Sequence, residues 1–230
     1  AWYALGALSG RFFRSCRAAR GSAPGPVWAR ELAKSRGSRY VAGPATVVAE
    51  PVIMHKPATV FFVAGASGYT GRGVLRALAQ RSLRFVAHVR PDSLRVDAMR
   101  EEVATLGGEL DTTEWQADLM ANTLARVGPT HVLALLGTTK ARARAARSRG
   151  SVETYDTVDL GLTVLLLDAA VRCQTEPRFV YLSAAGVGES ATGAYYRARL
   201  QAERAIMASP LPWTIVRPSF ITGADREDIR

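Results

Sequence analysis

Residues 58–82 read ATVFFVAGASGYTGRGVLRALAQRS. A short run of β-branched and aromatic residues stops at Gly65-Ala66-Ser67-Gly68-Tyr69-Thr70-Gly71, after which Val74, Leu75 and Leu78 recur on one face of a helix. This is the opening strand and helix of a βαβ unit, with a GxxGxxG loop between them. A pyrophosphate needs backbone N–H groups that no side chain obstructs, a tight turn, and the partial positive charge of a helix N-terminus. Glycines at 65, 68 and 71 meet those needs, so the loop as a whole, with Arg72 beyond it, is a candidate cofactor cradle. Placed between a strand and an amphipathic helix, with a second strand at the right interval, the pattern predicts dinucleotide binding over a merely structural turn.

Strand and helix patterns then alternate to the end of the chain. Residues 84–89 (RFVAHV) give a second strand, and residues 93–106 a second helix with Leu94, Val96, Met99, Val103 and Leu106. A third strand is weakly written around 110–115, followed by a short helix near 122–127, a buried strand at 130–137 (THVLALLG) and a long helix from about 152 to 173. A strand at 178–186 (RFVYLSAAG), a helix at 195–207 and a strand at 213–218 (WTIVRP) complete the series. Unbroken apolar runs such as 132–136 imply parallel strands covered on both faces. The expected fold class is α/β, a doubly wound parallel-sheet Rossmann domain over residues 58–230 with an irregular N-terminal extension over 1–57.

Composition agrees with one sizeable core: 230 residues, 48% hydrophobic and 22% charged. Collagen, low-complexity disorder and a disulfide-stapled miniprotein are excluded. Cys16 and Cys173 form no CxxC or Cys/His cluster, which fits a reducing compartment, and His55, His88 and His131 lack ligand spacing and read as packing or surface residues, so no metal is expected. The longest apolar runs, such as 163–167 stopped by Asp168, fall short of the ~20 residues of a spanning helix. A soluble chain is expected, compatible with lying near a membrane surface.

At the end of the second strand, where an adenosine ribose would sit, NAD-specific proteins usually carry an acid that accepts from the 2′-hydroxyl. This chain has Arg90, followed by Pro91, Asp92 and Ser93. A guanidinium there suits a 2′-phosphate, so NADP(H) is preferred over NAD(H), with Ser67 and Arg72 as secondary contacts. Asp92 keeps the other nucleotide open, and a solvated surface charge is the plainer account of Arg90.

The net charge of +10 is unevenly placed: residues 1–57 hold nine basic and two acidic residues, residues 58–230 twenty-one and eighteen. Nearly all the bases are arginine, a skew that codon bias explains, and a nucleic-acid partner is not expected on this ground. The first thirty residues contain no acid and combine Arg11, Arg14, Arg17 and Arg20 with Trp2, Tyr3, Phe12 and Phe13, the composition of a mitochondrial or plastid targeting segment. Residues 1–57 show no sustained apolar period and cannot build a core, so they are expected to act as an arm docking on partner protein subunits. The run at 140–149 (KARARAARSR), five bases and no acid, reads as a solvated basic loop.

In order, VAGASGYTG, HVRPDS, ADL (117–119), LALLGTTKARARA, YDTVDLGLTVLLLDAA, RFVYLSAAG, AYYRARLQAE and WTIVRPSFITGADRED resemble the atypical short-chain dehydrogenase/reductases, in the NmrA-like and Tat-interacting-protein-like branch of NAD(P)H-binding proteins. The resemblance covers residues 58–230. It implies that Asp118 and Leu119 border the adenine, that Leu136, Gly137 and Thr138 lie along the cofactor, and that Pro218, Ser219 and Phe220 approach the nicotinamide. In the wider family a Ser orients the substrate carbonyl, a Tyr exchanges its proton, and a Lys four residues later holds the ribose and lowers the Tyr pKa. Ser183 and Tyr195 match the first two, but the Lys position is Arg199, and the exchange is not conservative where close placement matters. A short C-terminus, twelve residues past Pro218, is a second departure and is expected to leave little to enclose a substrate.

Three readings follow. In the first the chain is an accessory subunit, structural or redox-sensing, of a larger mitochondrial assembly in the matrix or on the matrix side of the inner membrane. Some respiratory complex I assemblies carry an accessory subunit of this fold. The second is an active NADPH-dependent oxidoreductase on a small carbonyl or quinone; the third, an RNA-associated protein, rests on charge alone.

Overall fold

A computed structural model describes residues 58–222 except position 149, without the side chains of Lys140 and Ala141. The extension at 1–57, with its targeting and partner-binding readings, and the last eight residues lie outside the described residues. What the sequence predicts as strand, glycine loop and helix forms β1 (Val60–Ala64) and α1 (Tyr69–Ala79). Then come β2 (Arg84–His88), α2 (Val96–Thr105), β3 (Glu109–Asp111), α3 (Ala117–Val127) and β4 (His131–Ala134). After α4 (Lys140–Arg147), a π-helical segment (Tyr155–Leu162) runs into α5 (Thr163–Val171), followed by β5 (Arg178–Leu182), α6 (Ala194–Ala208) and β6 (Trp213–Val216).

The six strands form one parallel sheet in the order β3-β2-β1-β4-β5-β6. Alternation along β1 explains its double covering. Val60, Phe62 and Ala64 face a core shared with Met120, Leu124, Leu166, Phe179, Tyr181 and Ile206, from α3, α5, β5 and α6. Val63 faces the other way, with Phe85, Leu75, Leu78, Met99 and Val103, from β2, α1 and α2. The chain therefore winds outward from β1 on one face, crosses back and winds outward on the other. Neighbouring connections then diverge between β1 and β4, the place where doubly wound folds of this type bind their ligands.

Two predicted elements change. The basic run expected as a loop is instead helix α4: the Thr139 hydroxyl caps it by accepting from the Arg142 N–H, and Ala146 is buried beneath it. Alanines alternating with arginines have helical propensity that a charge count hides. The long helix predicted from 152 begins at Tyr155, where the Thr154 and Thr157 side chains form a reciprocal cap. Cys173 is buried and unpaired, and its thiol is pushed up by that burial. Among the described residues no helix is long and apolar enough to cross a membrane.

Gly65 and Gly71 are required where they stand. Gly65 has φ +85°, and a Cβ there would meet the Leu135 carbonyl oxygen at 2.6 Å, so the loop lies directly against the chain leaving β4. A Cβ on Gly71 would meet the Gly65 carbonyl oxygen, and that of Ala66 at 2.7 Å, both of them main chain. Gly71→Ala is expected to lower stability by about 2 kcal/mol, as overpacking against backbone does, a shift that urea unfolding would register.

Candidate nucleotide-binding site

The glycine loop presents its helix end open. No side chain caps α1, its first turn carries no acid, and Gly68 stands at the cap in extended conformation with its own N–H bonded to the Gly65 carbonyl at 3.1 Å. Backbone amides at an uncapped helix start, beside glycines that admit no Cβ, fit a pyrophosphate. Ser67 turns its carbonyl toward Arg95 Nη1, 3.3 Å away. Arg72 is committed elsewhere: its Nε donates to Glu102 on α2 at 2.8 Å. Tyr69 is exposed at the start of α1, and Thr70 is partly buried.

Beyond the ends of β2 and β4 the polar groups form a chain. Arg90, just past β2 and 30% exposed, pairs with Glu153 (Nη1–Oε1 2.7 Å) and with Asp92 (3.2 Å). Glu153 is buried; its Oε2 accepts from the Thr138 hydroxyl at 3.3 Å and lies 4.0 Å from Arg142 Nε. Burial pushes the Glu153 carboxyl up, but its hydrogen bond to Arg90 and the charges of Arg90 and Arg142 outweigh this and hold it below the usual value. The Thr138 N–H donates to Asp159 Oδ2 at 2.9 Å, and Asp159, in the π-helical segment, is fully buried.

Asp159 meets Arg199. The Arg199 guanidinium donates to Asp159 Oδ1 at 2.8 Å, to the Leu136 carbonyl at 3.1 Å, to the Leu182 carbonyl and to the Tyr181 hydroxyl at 3.4 Å. Its Nε is buried without a hydrogen bond. It therefore joins the carboxyl ends of β4 and β5 from inside, and it lies over the rings of Tyr181 and Tyr195 at 5.5 and 5.3 Å. A Cβ on Gly137 would meet Arg199 Nη2 at 2.7 Å, so glycine there makes room for the guanidinium. Burial pushes Asp159 up, an effect the Arg199 charge opposes, and burial pushes Tyr181 up to about 12.

Ser183, past the end of β5, is buried, with its hydroxyl near the Glu203 carboxylate. One turn after Arg199, Glu203 is fully buried and bonded through both oxygens to Arg217, which follows β6. Burial raises the Glu203 carboxyl, but the bond to Arg217, the nearby Ser183 hydroxyl and the charges of Arg217 and Arg199 leave it lowered. Pro218 accepts from the Ala185 N–H at 2.9 Å, tying the two strand exits together, while Ser219 and Phe220 are exposed.

A family profile described as NAD(P)H-binding matches residues 65–230. The chain belongs to that family. No curated protein matches the sequence. Among solved structures, a protein of Burkholderia cenocepacia J2315 assigned as an epimerase is 23% identical, over 75% of this chain and 57% of its own, with a TM-score of 0.56. One from Bacillus halodurans assigned as an NAD-dependent epimerase/dehydratase is 20% identical, over 74% of each chain, with a TM-score of 0.57. ChuY, an anaerobilin reductase from Escherichia coli O157:H7, is 20% identical, over 70% of this chain and 72% of its own, with a TM-score of 0.52. The chain thus spans little more than half the length of the Burkholderia protein. At these identities the likeness is one of fold, the Rossmann type shared by reductases and epimerases.

The structure brings Arg90 and Thr138 together through Glu153, and sets Leu136, Gly137 and Tyr195 around Arg199. Asp118 and Leu119 are exposed in the first turn of α3, where Asp118 pairs with Arg172 at 2.9 Å. Sequence reasoning missed Arg95, Glu153, Asp159, Glu203 and Arg217. Two signals were available: Glu153 is the first acid after Asp118, next to the basic run, and Glu203 stands four residues from Arg199 on one helix face.

Arg199→Met is expected to cost about 3–5 kcal/mol, because it leaves Asp159 buried and unpaired; denaturant unfolding would measure it. Glu203 titrates lower in the folded chain than its ordinary 4.5, so the stability it contributes is complete above that value and lost as pH falls through the lower folded one. Glu203→Gln should flatten the acid limb of a stability–pH curve below 4.5.

Proposed function

We propose that the chain binds NADP(H) in preference to NAD(H) and keeps it as a structural or redox-sensing group, as an accessory subunit of a larger mitochondrial assembly. The observation that carries this reading is the buried Arg199, whose two terminal nitrogens are taken up by Asp159, the Tyr181 hydroxyl and carbonyls at the ends of β4 and β5. A residue so engaged cannot also clamp a ribose, and it meets Tyr195 over its ring. In the expected triad of Ser183, Tyr195 and Arg199 the guanidinium is thus engaged by the protein itself, which favours a held nucleotide over turnover.

Bound NADP(H) would supply a hydride at its nicotinamide. The residues of this chain would hold it: the amides at the start of α1 at the pyrophosphate, and Arg90 with Arg95 near the ribose 2′-phosphate. Two basic side chains at the exit of β2 favour the phosphorylated nucleotide. The assembly and its compartment are inferred from the acid-free, arginine-rich residues 1–30.

The test is the native mass of the endogenous protein together with the nucleotide released on denaturation. A large assembly yielding one NADPH per chain is the expected result. A free protein that oxidises NADPH with added carbonyls or quinones, and loses this activity in Tyr195→Phe, would replace the proposal with an enzyme.

A further inference from the structure

Arg90 and Glu153 come from opposite sides of β1. Arg90 follows β2, while Glu153 precedes the π-helical segment and also takes the hydroxyl of Thr138, which follows β4. The carboxylate therefore bridges the exits of β2 and β4 past the end of β1, where the strand order reverses and a dinucleotide of this fold lies. A 2′-phosphate arriving at Arg90 meets a guanidinium already holding a carboxylate.

We propose that Glu153 is a specificity-determining residue that holds Arg90 in an internal ion pair, which a ligand 2′-phosphate takes over by exchanging one anion for another. This inference rests on the preference for NADP(H) put forward above. Three features make the exchange feasible. Arg90 is 30% exposed and can be reached from solvent, whereas Glu153 is 6% exposed and cannot follow it outward. Once released, Glu153 keeps the Thr138 hydroxyl and the Arg142 guanidinium, so no buried charge is orphaned. A nucleotide with a free 2′-hydroxyl brings no anion and leaves the ion pair closed. The carboxylate thus weakens binding of the phosphorylated nucleotide and leaves the other untouched, and Asp92, also on Arg90, stays exposed and screened.

The experiment is equilibrium binding of 2′,5′-ADP and 5′-AMP, which carry the adenosine end without the nicotinamide, to the full chain and its variants. Glu153→Gln retains a group for Thr138 but not the charge; it should bind 2′,5′-ADP about tenfold more tightly, about 1.4 kcal/mol, with 5′-AMP unchanged. Glu153→Asp draws the carboxylate back by one methylene and should give a smaller gain of the same kind, which serves if the glutamine variant does not fold. Arg90→Ala should lose most of the preference for 2′,5′-ADP, and adding Glu153→Gln to it should bring no gain. Unchanged 2′,5′-ADP affinity in both Glu153 variants, or equal weakening of both probes, overturns the exchange while leaving the cofactor preference standing. A wild-type chain that binds 2′,5′-ADP and 5′-AMP alike overturns both.

Discussion

Everything at the carboxyl edge of this sheet is arranged around one buried ion pair, Arg199 with Asp159. A guanidinium carried into the interior needs its donors occupied, and the ends of β4 and β5 supply carbonyls that no further strand residue claims. Asp159 supplies the charge and passes its second oxygen to the Thr138 amide. In this way a helix, a π-helical segment and two strands are fixed relative to one another by a single side chain. The arrangement is costly to break and worth little in net stability, because both ions were desolvated to make it. What it secures is position, and the position it secures is that of the residues leaving β4.

That position matters because the chain leaving β4 is also the wall against which Gly65 is pressed. Close approach of Gly65 to Leu135 and capture of Leu136 by Arg199 act on adjacent residues, so the glycine loop and the second turn of α6 share one backbone segment. A family-typical lysine would have reached outward to a ligand from this place. The arginine reaches inward to the protein, to Asp159 and the Leu136 and Leu182 carbonyls.

The doubly wound fold was legible because its evidence is local: a glycine loop between a strand and a helix, and apolar runs separated by helical periods. The glycine positions were legible for the same reason, since a close approach leaves no choice of residue. Side chains that act in pairs were not. Glu153 and Arg90 are sixty-three residues apart, Asp159 and Arg199 forty, and no periodicity links a carboxylate to a partner brought near only by the sheet order. The helical basic run was misread because charge was weighed without the alanines between.

The π-helical turns before α5 have a bearing on descent. A π-helix takes more residues per turn than an α-helix, so residues 155–162 accommodate extra chain without moving α5, whose Leu166, Ala169 and Ala170 stay in the core. A relative that kept α5 in place on a regular helix would be shorter here, and an alignment would have to open a gap beside Asp159. The wider turn is thus absorbed in the helix rather than in the core.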